Sequence, residues 1–175
     1  MIRPRHSQLE FVQQTRNHKE LAAKVKKYVG EDAASQISAQ ALYVGAQWVK
    51  LGGSHLREAR MARKAGLVRT VYSKSYYAAY NFSKGIRYLA NGVVSLKGDD
   101  HQAAPNLPDD LPGRDGISRI ITELYACRLR ADYDNWSDQG RSAYPMSTAD
   151  AVKFAGRVAA EARLYVVSKY GRILE

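Results

Sequence analysis

The sequence predicts an all-α protein, a helical bundle, and three observations carry that expectation. Apolar residues recur at i, i+3, i+4 and i+7 in one segment after another. No stretch of useful length alternates apolar and polar residues as a strand would. Glycines, prolines and capping residues gather where the periodicity stops.

The elements come in order. Leu9, Val12, Leu21, Val25 and Tyr28 predict an amphipathic helix over 8–29, with Lys24, Lys26 and Lys27 on a basic face. Ile37, Ala41, Val44 and Trp48 share one side of a helix over 31–50. Gly52-Gly53 then predict a break or bend, with Ser54 able to cap the next helix. That third helix, over 54–66, carries Leu56, Ala59 and Ala62 on a narrow apolar side and ends at Gly66.

The clearest helix is 68–90, where Tyr72, Tyr76, Ala79, Phe82, Ile86 and Leu89 keep the helical interval. A second face of it carries Tyr77, Tyr80, Lys84 and Arg87. From 91 to 115 the pattern fails among Gly92, Gly98, Pro105, Pro108, Pro112 and Gly113, which predicts a long loop. Ile117, Ile120, Ile121, Leu124 and Ala131 predict a helix over 116–133. After a second loop, Ser147-Thr148-Ala149-Asp150 matches a capping box. The closing helix runs to Tyr170 with Ala151, Ala155, Val158, Ala162 and Val166 aligned.

At 175 residues the chain suits one domain with a real core. No apolar run approaches the ~18 residues of a membrane helix, and the basic start, Met1 to His6, lacks the apolar stretch of a signal peptide. The single cysteine, Cys127, excludes an internal disulfide and suits a reducing, cytoplasmic setting. His6, His18, His55 and His101 are scattered and show no metal-ligand spacing, so neither a metal nor a cofactor is expected.

The net charge of +10 is uneven. Residues 50–98 hold ten Lys/Arg against Glu58 alone, whereas residues 99–150 hold ten acids against five Arg. A cationic first half favours a polyanion, most simply nucleic acid, over a merely soluble basic surface.

Such a partner suggests particular side chains. Arg60 and Lys64 stack with Arg57 along one helix side. Tyr77, Tyr80, Lys84 and Arg87 alternate rings with cations, a pattern that can stack on bases and hold phosphates. The same tyrosines better suit a half-buried helix–helix interface. Arg128 falls on the register of Ile117, Ile121 and Leu124, where a long cation is unexpected. It is either paired with Asp132 at i+4 or held there for a task, and Arg130 with Asp134 offers a second such pair.

The order of these features resembles a known family. An Ala/Arg-rich helix ending Ala65-Gly66 leads into Tyr72-Ser73-Lys74-Ser75-Tyr76-Tyr77-Ala78-Ala79-Tyr80. A loop with Lys97 and His101 comes next, then Leu124-Tyr125-Ala126-Cys127-Arg128-Leu129-Arg130-Ala131-Asp132-Tyr133, then a last amphipathic helix. Over about 54–171 this looks like a HEPN domain of the small stand-alone prokaryotic type. The resemblance implies an antiparallel helical bundle over 54–175, with 1–53 as an N-terminal helical extension. It also implies a homodimer, or a complex with a partner protein such as a nucleotidyltransferase. Its implied activity is metal-independent endoribonuclease action on RNA in a toxin–antitoxin or anti-phage defence system.

The family signature is an Arg followed, after a short spacer, by His. Attack of an RNA 2′-OH needs a base, and a cation for the charge growing on phosphorus. Arg128 matches the arginine, but Tyr133 stands where the signature has histidine. A free tyrosine, with a pKa of about 10, is ionised to about one part in a thousand at pH 7, so it is a poor base. The implied catalytic set is Arg128 with Tyr133, and His101 as the imidazole from the loop. A non-catalytic nucleotide-binding, nucleic-acid-binding or protein-interaction module is the alternative; a DNA reader fits the charge but lacks a recognisable helix-turn-helix.

Overall fold

The computed structural model describes residues 17–93, 100–133 and 144–171. The architecture is all-α, with helices α1 His18–Tyr28, α2 Glu31–Lys64, α3 Val68–Asn91, α4 Asp100–Ala103, α5 Arg114–Tyr133 and α6 Thr148–Tyr170. No helix among the described residues is long and apolar enough to cross a membrane.

α3 is the axis of the bundle, in contact with α2, α5 and α6. That position explains its composition. Tyr76, Phe82, Ile86, Tyr88 and Leu89 are fully buried, and the second face closes over as well, taking Tyr80, Lys84 and Arg87 inside. A helix buried all round must satisfy its polar groups internally. The core joins these residues to Leu56 of α2, Ile117, Ile121 and Leu124 of α5, and Val158 and Val166 of α6.

α2 and α3 form an antiparallel pair joined by a tight turn, in which Gly66 takes φ +72°. Their contact depends on glycine. A Cβ on Gly85 would stand 2.7 Å from Val49 Cγ2 and 3.0 Å from the Gly45 carbonyl, and one on Gly52 would stand 3.0 Å from the Ala78 carbonyl. The expected break at Gly52-Gly53 is therefore not found: α2 runs unbroken from 31 to 64, and residue 53 lies in mid-helix. Each glycine costs about 1 kcal/mol of helix propensity, but close helix packing overrides that local preference.

Two other boundaries differ from expectation. Asn17 is extended and its side chain accepts from the Lys19 and Glu20 amides, so a helix begins at His18; the part of the expected 8–29 helix before residue 17 lies outside the described residues. The segment expected as loop contains the single turn α4, and Leu107 and Leu111 plug into the core behind it. The capping box holds: Ser147 Oγ accepts from the Asp150 amide at 3.1 Å. Cys127 is free and buried, packed in the core from α5.

α1 hangs on the C-terminal end of α3. His18 N donates to the Gly92 carbonyl at 3.0 Å, His18 Nε2 lies 2.9 Å from the Tyr88 carbonyl, and Lys19 Nζ donates to the Ala90 carbonyl. A lysine over the last carbonyls of a helix also complements its dipole.

Candidate functional site

Tyr77, at mid-length of α3, is where four helices bring chemistry together. Arg128 of α5 donates from Nη2 to the Tyr77 hydroxyl at 3.2 Å. The His101 ring of α4 stands edge-on to Tyr77 at 6.0 Å, and the His55 ring of α2 lies at 5.8 Å. These side chains are half-buried, so the cluster opens to solvent.

Arg128 is sandwiched. Its guanidinium carbon lies 5.7 Å from the Tyr77 ring centre and 5.1 Å from that of Tyr133, a double cation–π arrangement. Nη2 also reaches the Tyr133 hydroxyl at a long 3.4 Å. Nε lies 2.7 Å from Asp132 Oδ2, but its N–H makes no directed hydrogen bond, so this i,i+4 contact is an ion pair of position. Burial opposes the charge, yet Tyr77, Asp132 and Tyr133 together raise the pKa, and the guanidinium is a permanent cation.

His101 is placed by a buried charge cluster. Arg87 donates to both carboxylate oxygens of Asp100, the residue before His101, at 3.1 and 2.9 Å. Lys84 Nζ sits 3.5 Å from Asp100 Oδ2, donates to the Tyr80 hydroxyl at 3.2 Å and covers the Trp48 ring at 4.5 Å. Arg87 Nε donates to Ser83 Oγ, and Ser83 donates to the Ala104 carbonyl, so both ends of α4 are pinned to α3. Desolvation works against the Asp100 carboxylate, but Arg87 and Lys84 outweigh it and hold its pKa low. Burial pushes the Lys84 ammonium down, with Asp100 opposing.

The His101 imidazole is stacked 11° from parallel with Tyr125 and lies 4.5 Å from the Tyr80 ring. Nδ1 meets the Tyr76 hydroxyl at 2.8 Å. Burial drives the Tyr76 phenol pKa upward, so the hydroxyl keeps its proton and either donates to Nδ1 or accepts from it, according to the imidazole tautomer. With Tyr76 as the donor, the neutral ring carries its own proton on Nε2. Desolvation, then Arg128, lowers the His101 pKa, so it is neutral at pH 7. Arg128 and His101 both border Tyr77.

The structure thus gathers Arg128, Tyr133, His101 and Tyr77. It places the other expected residues differently. Lys84 and Arg87, expected as surface phosphate contacts, are each 5 % exposed and committed to Asp100, and Tyr80 is buried between them and His101. Arg60 and Lys64 are exposed, but their register puts them on the side of α2 away from His55 and Glu58, where Arg60 reaches Gly156 of α6. They border a different surface. The Arg130–Asp134 pair lies outside the described residues.

His55 is the residue that sequence reasoning passed over. Its Nδ1 is 3.2 Å from Glu58 Oε2, which Lys74 Nζ also holds at 2.7 Å. Ser54 Oγ donates to the other Glu58 oxygen at 3.4 Å. The available signal was the His55-x-x-Glu58 spacing, which sets both on one helix face. Two open clefts elsewhere, one between α1 and α2 and one at the start of α5, contain none of these residues. No group of three or more His, Cys, Asp or Glu gathers as metal ligands among the described residues.

No protein-family model matches the chain, and neither a curated protein nor a solved structure matches it.

Proposed function

We propose that the protein is a HEPN-like, RNA-directed endoribonuclease that works without a metal, in a prokaryotic toxin–antitoxin or defence setting. The observation that carries the reading is Arg128 held between Tyr77 and Tyr133 with the neutral His101 imidazole in the same field. A fixed guanidinium beside imidazole and phenol donors suits a phosphate whose charge grows during attack by the 2′-OH. RNA supplies that nucleophile within the substrate. Arg128 stabilises the pentacoordinate phosphate, Tyr133 orients it and offers a face on which a base can stack, and His101 donates from Nε2.

Incubating total RNA with the protein in EDTA, beside an Arg128→Ala variant, tests this. Cleavage by the wild type and its loss in the folded variant support the reading; RNA left equally intact by both overturns it.

One observation favours a second reading, a binding module without catalysis: Asp132 already pairs with Arg128, and Tyr133 occupies the position of the signature histidine. Such a module would bind RNA with strongly salt-dependent affinity and leave it uncut. A homodimer, or a complex with a nucleotidyltransferase-type partner, fits either reading and is read out by the mass of the species in solution.

A further inference from the structure

The two histidines that border Tyr77 have different hydrogen-bonding partners, a phenol for His101 and a carboxylate for His55. Nδ1 of His101 faces a phenol, which can donate or accept, so the ring turns an N–H outward at Nε2 when Tyr76 is the donor. Nδ1 of His55 faces Glu58 Oε2, and Glu58 is held ionised by Lys74, with His55 adding to the effect. A carboxylate only accepts, so the proton between them belongs to His55 Nδ1. The neutral ring therefore has its lone pair on Nε2, which meets no partner among the described residues. Glu58 thus fixes His55 as an acceptor at Nε2, whereas His101 is a donor there when Tyr76 supplies the proton to its Nδ1.

We infer that His55 is the general base of this site and that Glu58 is the positioning residue that fixes its tautomer. The inference rests on the RNA-cleavage reading and deepens it. In the step, His55 Nε2 takes the proton of the 2′-OH as the 2′ oxygen bonds to phosphorus. The bond from phosphorus to the 5′ oxygen breaks, and that oxygen takes a proton from water. His55 returns its own proton to the resulting hydroxide. Arg128 and the Nε2–H of His101 hold the non-bridging oxygens throughout and transfer nothing. The 2′-OH is the required nucleophile, so a strand carrying 2′-deoxyribose at the scissile position is refractory.

Lys74 shares Glu58 with His55, so the arrangement also suits a purely structural surface network, and the test must separate the two. The full-length protein is assayed on a fluorophore–quencher oligoribonucleotide in EDTA. His55→Ala is expected to lower kcat by about 10²–10⁴-fold, the usual share of general-base catalysis, with KM little changed. Added imidazole restores part of that rate, and the acid limb of the pH–rate profile disappears. Glu58→Gln keeps the limb but shifts it. His101→Ala is slower, retains the limb and is not rescued.

A His55→Ala enzyme as fast as wild type, or one whose acid limb persists while imidazole does nothing, overturns the assignment and leaves RNA cleavage standing. A wild type that cuts nothing overturns both. Nitrogen-15 spectra of the wild type give a check independent of any variant's folding: Nδ1 protonated at His55 supports the assignment, and Nε2 protonated there overturns it.

Discussion

Arg87 and Asp100 meet through two parallel N–H···O contacts of 3.1 and 2.9 Å, with the two side chains 6 % and 1 % exposed. The contact joins the middle of the bundle to the one-turn helix that carries His101, so the most buried charge among the described residues also sets the position of a site residue. Removing one partner from such a pair costs about 3–5 kcal/mol, because the remaining charge stays buried and uncompensated. Asp100→Asn, which leaves both Lys84 and Arg87 without their carboxylate, is therefore expected to lower the urea midpoint sharply. An unchanged midpoint would mean that water reaches the cluster.

Glycine substitutions should divide by position. Gly85→Ala drives a methyl group to 2.7 Å from Val49 and against the Gly45 carbonyl, which is backbone and cannot step aside. Overpacking of this kind costs about 1–3 kcal/mol, more than the ~1 kcal/mol gained in helix propensity. Gly116→Ala in α5 meets only the end of Arg157 at 3.9 Å, and should stabilise by about 0.5–1 kcal/mol. Thermal midpoints of the two variants moving in the same direction would contradict the packing described for α2 and α3.

Mild acid should loosen α1. Burial depresses the His18 pKa below its ordinary 6.5, with the Tyr88 hydrogen bond opposing and Lys19 adding to the fall. The unfolded chain then binds the proton more readily than the folded one. The stability His18 contributes is present in full above pH 6.5 and is lost as pH falls from there through the lowered folded value. Amide-exchange protection over residues 18–28, corrected for the intrinsic effect of pH on exchange, should therefore fall between about pH 7.5 and pH 5. His18→Gln, which keeps a side-chain donor for the Tyr88 carbonyl, should remove the pH dependence.

The two tyrosines that flank Arg128 should differ in weight. Tyr77→Phe removes a half-buried acceptor at 3.2 Å and is expected to cost about 1 kcal/mol of transition-state binding, or about five- to tenfold in rate. Tyr133 is 68 % exposed and its hydroxyl is 3.4 Å away, so Tyr133→Phe should cost less than about threefold. Steady-state rates on a short oligoribonucleotide decide between them; the reverse order would place the phosphate on Tyr133.

Much of the helical architecture was legible in the sequence because periodicity and caps are local. The Leu124–Ala131 stripe, the Ser147 cap and the Arg128–Asp132 spacing all lie within one or two turns. What was not legible depends on distant partners. Gly52-Gly53 reads as a break until Ala78 and Phe82 are seen to occupy the space a Cβ would fill. Lys84 and Arg87 read as an outer face because their carboxylate, Asp100, comes from a segment without helical pattern. His55 showed its Glu58 partner at i+3, but nothing local announced Tyr77, on the next helix, as its neighbour.

Whether Arg128 serves a scissile RNA phosphate is decided most directly by kcat/KM on a labelled oligoribonucleotide in EDTA. Wild type and Arg128→Ala are compared, both shown to be folded by circular dichroism. Loss of one preorganised donor to a charge-bearing transition state is expected to lower the rate by about 10²–10³-fold. Equal rates in the two proteins would contradict the catalytic role, and would leave Arg128 as the partner of Asp132 and a brace between Tyr77 and Tyr133.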